Sequence, residues 1–354
     1  MRVLMISGDE KLLDQHSSVY ARVKKYAKKL EWLHAIVPSR KNLEYIRDEN
    51  FLVLPAFSLG PFERLKTAYY FATGQKKLEF KPTLVTAQDP FELGFVGWRV
   101  ARHYNVPLEL QIHTDIFSPY FFSHSLKNRI RVRVARFLLP RAHGIRVVSK
   151  RIEDSLRREI PSLVARITVV PVAVTLERKT ASSNHNDTKT ILAISRLTKE
   201  KDIPTILKAF KELRSSLTKV SLVILGDGSE RRALENLARK LAISDAVSFV
   251  GWHDDIDRYL GQADVFVQTS LYEGYGRTIL EAASYGVPLI STEVGVVGFE
   301  LSTTSLIAVP TNDSKKLAEA LYRQLTHPIV PAKPHLYSEK ETVERIQKAW
   351  EGIS

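Results

Sequence analysis

The sequence predicts an α/β protein made of two Rossmann-like, doubly wound domains. Three observations predict it. Short apolar runs alternate with stretches of helical periodicity; the alternation breaks at a polar stretch over 177–189 and restarts at Thr190; and glycine, histidine and charged residues gather just after apolar runs, where open parallel sheets bind ligands. With 354 residues, 44% hydrophobic and 26% charged, the chain is long enough for two cores of ordinary composition. It contains no cysteine, which excludes disulfides and thiolate metal sites and fits a reducing compartment. No apolar run approaches about 20 residues, so no membrane span is expected. The opening MRVLMISGDE reads as a strand and not as a signal peptide, and a cytoplasmic location is the expectation.

Taken in order, residues 2–7 form a first buried strand that delivers Ser7, Gly8 and Asp9 to its carboxyl end. Val19, Val23, Tyr26, Ala27, Leu30 and Leu33 then recur at helical spacing, with Arg22, Lys24, Lys25, Lys28 and Lys29 between them, which predicts a basic amphipathic helix. Further strands are predicted at 51–54, 83–87, 108–112 and 144–148, and a last one at 169–172. Two of them end in candidate ligand contacts, Asp89 and His113. Over 127–141 there are six basic residues and no acidic one; as a helix this segment would carry an apolar stripe of Ile130, Val134, Phe137 and Leu138.

The domain boundaries follow from this pattern. Residues 1–176 form the first domain, 177–189 a linker whose Asn186–Thr188 sequon is fortuitous, and 190–335 the second domain. In the second domain strands are predicted at 190–194, 221–225, 247–250, 265–267 and 287–290, with helices at 203–213, 230–241 and 256–262. Asp254 or Asp255 would cap the last of these, which argues against reading the acidic run 254–257 as a metal site. Residues 336–354 form a C-terminal helix, with Val343, Ile346, Ala349 and Trp350 on one face, expected to pack on the first domain.

The net charge of +13 lies entirely in the first half: residues 1–178 hold 30 Lys+Arg and 17 Asp+Glu, and the remainder 22 of each. Beyond a merely solvated surface, this points to an anionic partner. The segment 118–141 sets aromatics beside cations, as suits an anionic lipid surface or a phosphorylated acceptor. No usual nucleic-acid motif is present, so nucleic acid is not an expected partner.

Four features of the second domain follow predicted strands: Arg196 and Lys201; Gly226, Asp227 and Gly228; Gly251, Trp252 and His253; and Glu273, Gly274, Tyr275, Gly276, Arg277 and Thr278, with Glu281 eight residues beyond Glu273. Fixed cations suit a diphosphate, glycines permit close backbone approach, and carboxylates accept hydrogen bonds from hydroxyls. A glycine-bearing loop at a helix N-terminus adds free amides and the positive end of the helix dipole.

In this order and spacing, residues 195–290 resemble the C-terminal domain of retaining glycosyltransferases of the GT-B fold, the group 1 family also called glycosyltransferase family 4. Arg196 and Lys201 match its R-x4-K, Gly226 to Gly228 its Gly-Asp-Gly, and Glu273 to Glu281 its E-x7-E. The resemblance implies sugar transfer from a UDP- or GDP-linked donor to an acceptor hydroxyl with retention, in cell-envelope polysaccharide or glycolipid synthesis, without a metal or other cofactor. It implies that Arg196 and Lys201 hold the diphosphate and Glu281 the ribose. Glu273 and the backbone of Gly274 to Arg277 would hold the donor sugar, and Gly251 and Trp252 would line the base pocket. His113 matches a first-domain histidine set against the donor sugar. The loop at Gly8 departs from the paired glycines that many members carry there. The partners implied are a nucleotide-sugar donor, a sugar or lipid-linked acceptor and peripheral contact with an anionic membrane. Rival readings are an inactive basic binding protein of the same fold and a two-domain NAD-dependent dehydrogenase; the latter lacks a G-x-G-x-x-G after the first strand.

Overall fold

A computed structural model describes residues 1–74, 80–174, 187–253 and 255–353. Residues 177–186 of the predicted linker, including Asn186, and the proposed cap Asp254 lie outside the described residues. The chain divides into two compact units, the first made of Met1–Pro171 and the segment from Glu339 onward, the second of Val172–Ser338.

In the first unit, β1 (Arg2–Ile6), α1 (Ser18–Ala27), β2 (Trp32–Ser39), β3 (Ile46–Asp48), β4 (Phe51–Phe57) and α2 (Pro61–Thr73) form one half. The other half comprises β5 (Leu84–Ala87), α3 (Glu92–Tyr104), β6 (Leu108–Ile112), α4 (Pro119–His124), α5 (Leu126–Leu138), β7 (Gly144–Val147), α6 (Lys150–Glu159) and β8 (Arg166–Val169). The sheet order is β3-β4-β2-β1-β5-β6-β7-β8, parallel except for β3 against β4. Strand order reverses between β1 and β5, the switch point at which such sheets open a crevice. The strands are nearly continuous apolar runs because helices cover both faces: Val3, Leu4 and Ile6 are fully buried.

The second unit repeats the plan with β9 (Lys189–Ile194), α7 (Ile203–Arg214), β10 (Val220–Leu225), α8 (Arg231–Lys240), β11 (Val247–Gly251), α9 (Asp257–Leu260), β12 (Val265–Gln268), α10 (Arg277–Ser284), β13 (Leu289–Ser291), β14 (Ile307–Ala308) and α11 (Ser314–Thr326). Its parallel sheet runs β11-β10-β9-β12-β13-β14, and here the switch point lies between β9 and β12. Beyond it the chain returns to the first unit as α12 (Glu339–Glu351). Val343, Ile346 and Trp350 of α12 join the core that contains Val3, Met5, Tyr26 and Phe51, and the Trp350 ring meets Tyr26 edge-on at 6.4 Å.

Three readings of the sequence are corrected. The helix expected over 19–33 ends at Ala27, and Leu33 belongs to β2; Leu30 and Leu33 continued the helical spacing by coincidence, hiding a strand that is buried on both faces. The stripe expected on α5 is rotated. Asn128, Val132, Ala135 and Leu138 face inward while Ile130 and Phe137 are exposed, because the Asn128 side chain donates to the Phe121 carbonyl (3.0 Å) and so can be buried. At α9, Asp255 does not cap: the helix starts at Asp257 after Ile256, with no side-chain cap bond. Asp89, a candidate ligand contact by topology, accepts from the amides of Phe91, Leu93 and Gly94 at the start of α3.

Candidate active site

The second unit brings two motifs some seventy residues apart into one site because β9 and β12 are neighbours, pairing Ile191 with Val265. The loops that leave them are tied together. The Thr269 hydroxyl donates between the carbonyls of Lys201 and Asp202, both at 3.0 Å, and the Leu271 amide donates to the Glu200 carbonyl at 2.8 Å. From the β13 side, the Thr292 hydroxyl donates to the Ser270 carbonyl at 2.7 Å.

This stitching sets Lys201 against Glu273. The ammonium donates to Glu273 Oε1, which also accepts from the Ser270 hydroxyl at 2.8 Å, so both charged groups are held before any ligand arrives. Arg196 is exposed, with its guanidinium 3.5 Å from Glu200. On the first turns of α10, Arg277 pairs with Glu281 at 3.2 Å. Glu281 is 4% exposed, and burial raises its pKa against the opposing pull of Arg277.

These groups surround a cavity of about 430 Å3 at the carboxyl ends of β9 to β12. Of the expected residues, Arg196, Lys201, Gly226, Trp252, Glu273, Gly276, Arg277, Thr278 and Glu281 line it. His253, noted beside Trp252, and Ser195, which opens the Arg196 loop, line it as well, as does Ile256, which went unread because nothing in its spacing marks it. Gly251, Gly274 and Tyr275 are not in the lining, and Tyr275 is buried, its carbonyl accepting from the Val296 amide at 2.9 Å.

The glycines of Gly226-Asp-Gly228 serve neighbouring backbone. Gly226 has φ of +124°, and a Cβ there would sit 1.8 Å from the Ser195 carbonyl oxygen; at Gly228 it would sit 2.3 Å from that of Leu197. The lack of a Cβ at both lets the loop after β10 lie against the loop after β9, with the Leu197 amide donating to the Asp227 carbonyl at 2.9 Å.

The remaining two candidates, Gly8 and His113, belong to the first unit. Gly8 follows β1 at its switch point, where the Ser7 hydroxyl and the Gly8 amide both donate to Gln88 Oε1, at 2.7 and 3.2 Å. His113 stands at the end of β6 with Nε2 3.2 Å from Gln111 Oε1. Desolvation and the Arg146 and Arg22 charges depress its pKa, which leaves the ring neutral at pH 7 although the residue is exposed.

Residues 176–341 match the family model described as glycosyl transferases group 1, and residues 20–178 that described as glycosyltransferase family 4. The chain is 25% identical over 273 residues to alpha-monoglucosyldiacylglycerol synthase of Streptococcus pneumoniae, covering 71% of this chain and 61% of that protein. Matched stretches span 39% to 61% of the length of the curated relatives. Among solved structures, sucrose-phosphate synthase from Thermosynechococcus elongatus superposes with a TM-score of 0.75 at 21% identity, covering 100% of this chain and 96% of that one. Anabaena HepE in complex with UDP-glucose gives 0.73 at 17% identity, covering 99% and 100%. With both halves matched in the family's order and the fold shared along the whole chain, the protein belongs to the group 1 glycosyltransferases of the GT-B fold.

Proposed function

We propose that the protein is a retaining, metal-independent hexosyltransferase that moves a sugar from a UDP- or GDP-linked donor to an acceptor hydroxyl in cell-envelope polysaccharide or glycolipid synthesis. The observation that carries this reading is the cavity in which Arg196, Lys201, Glu273 and Glu281 converge. Departure of a nucleoside diphosphate builds negative charge on its outer phosphate. Arg196 and Lys201 are placed to meet that charge, Lys201 already fixed by its bond to Glu273, so little reorganisation is needed as it develops. Glu273 has a second carboxylate oxygen for sugar hydroxyls, beside the N-terminus of α10, and Glu281 accepts from ribose hydroxyls. Gly8 and His113 complete the reading from the first unit, His113 against the donor sugar. Two fixed cations take the part that a metal ion takes in other sugar transferases.

The relative named above is, by its name, a synthase of a monoglucosylated diacylglycerol, and HepE was solved with UDP-glucose. Both agree with this choice of donor and acceptor class. Among the described residues no helix is long and apolar enough to cross a membrane, so access to a lipid-linked acceptor would use a surface contact, for which α4 and α5 offer the basic and aromatic face.

Turnover of a panel of UDP- and GDP-sugars in EDTA tests the reading. Transfer should proceed with the anomeric configuration kept, by NMR of the product, and Lys201→Ala and Glu273→Ala should each abolish it. Full activity in both variants would overturn the site; a strict need for added metal would overturn the mechanism.

A further inference from the structure

We propose that Gln111 is a positioning residue that fixes His113 in the tautomer with its proton on Nε2, so that Nδ1 is presented to substrate as a hydrogen-bond acceptor. Glu109, Gln111 and His113 alternate along β6 and its end and therefore share one face. Glu109 is a carboxylate 1% exposed in the middle of a parallel sheet, a costly place for a charge. The Arg146 guanidinium on β7 faces Glu109 Oε1 at 3.6 Å and the Trp350 indole faces Oε2, and both of these groups donate and never accept.

The direction of every bond that follows is set by that fact. Glu109 accepts from Trp350 Nε1 of α12 at 2.9 Å and from the Thr86 hydroxyl of β5 at 2.6 Å. With its one proton committed to Glu109, Thr86 receives, and it receives from the Gln111 amide nitrogen at 2.8 Å. That orients the amide: the nitrogen faces Thr86 and the oxygen faces His113 Nε2, 3.2 Å away. An amide oxygen only accepts, so Nε2 carries the hydrogen. The other tautomer would set two lone pairs against each other. A buried ion pair three hydrogen bonds upstream thus decides that His113 accepts a hydrogen bond from a sugar hydroxyl and does not donate to its oxygen.

The kinetic arm of the test rests on the proposed function; the spectroscopic arm does not. With histidine labelled in 15N, the His113 signals are assigned by their loss in His113→Asn. The wild type should show Nε2 as the protonated and Nδ1 as the unprotonated nitrogen. Thr86→Ser, which keeps the hydroxyl, should preserve this pattern and the wild-type rate. Thr86→Val and Gln111→Met should move both nitrogens toward the averaged values of mixed tautomers. They should lower kcat on the order of tenfold with donor KM within about twofold. Gln111→Met, one step further from the buried charge, serves if Thr86→Val does not fold. An Nδ1–H tautomer in the wild type, or an unaltered His113 spectrum in the variants, would overturn the proposal. A correct tautomer in a protein that transfers no sugar would count against the proposed function alone.

Discussion

Glu281 shows how a single side chain can set function against stability. Its folded pKa is raised above the ordinary glutamate value of about 4.3, chiefly by burial, so the fold favours the neutral form. Wherever the carboxylate is ionised the folded state bears that cost, which is relieved as pH falls through the raised pKa. Glu281→Gln is therefore expected to raise Tm while raising donor KM, and wild-type donor affinity should fall on acidification before ordinary carboxylates protonate. Calorimetry and donor titration between pH 4 and 8 measure both; a lowered Tm would refute the first. Glu281 was legible because it stands eight residues from Glu273 in a motif. Ser270, Thr269 and Thr292 were not, although they hold Glu273 and the Lys201 loop in place. A hydroxyl residue after a strand carries no pattern, and only the pairing of β9 with β12 shows what it reaches. Gly226 was legible as a motif but its reason was not. Gly226→Ala should cost at least about 2 kcal/mol in urea titration, since a Cβ would collide with the Ser195 carbonyl at a φ unfavourable for alanine.

At the scale of elements, helices and strands with one kind of neighbour read well and those with two read badly. The alternation of β9 to α10 was legible because each strand is a short apolar run followed by a helix of clear period. β2 was not, since Leu33 lies in phase with the apolar positions of α1. On α5 the basic run was legible but its outer face was not. Arg131 is turned inward, with Nε 3.0 Å from both Glu92 oxygens and its guanidinium over the Phe91 ring, and Arg136 bonds Glu159 at 2.7 Å. Arg129, stacked over Phe122, and the exposed Arg133 remain on the surface beside exposed Leu126 and Ile130. A membrane contact through this face should therefore depend on Arg129 and Arg133. Each such residue near an anionic surface contributes about 1 kcal/mol, so Arg129→Glu with Arg133→Glu should weaken binding to anionic vesicles by at least about tenfold. Co-sedimentation unchanged from wild type would exclude that face; Arg131→Glu would mislead, because it breaks the bond to Glu92.

On the scale of the whole molecule, the first unit is discontinuous in sequence, with the second unit inserted between β8 and α12. Trp350 is among the largest fully buried side chains and also donates to Glu109, so it belongs to the core and to the polar chain that ends at His113. Trp350→Ala should destabilise the first unit by roughly 3–5 kcal/mol, seen as an early unfolding transition, whereas Trp350→Phe should restore most of the packing but not the bond to Glu109.

The return of α12 also bears on how the chain is made. When β8 leaves the ribosome, the seat of Trp350 among Val3, Tyr26 and Phe51 is bare, and it stays bare until the whole second unit has been translated. At about 5–20 residues per second, those intervening residues occupy roughly ten to thirty seconds. Throughout that interval the nascent first unit displays an apolar socket that its own chain cannot yet fill, which makes it a target for a holding chaperone and makes the emergence of α12 the event that closes it.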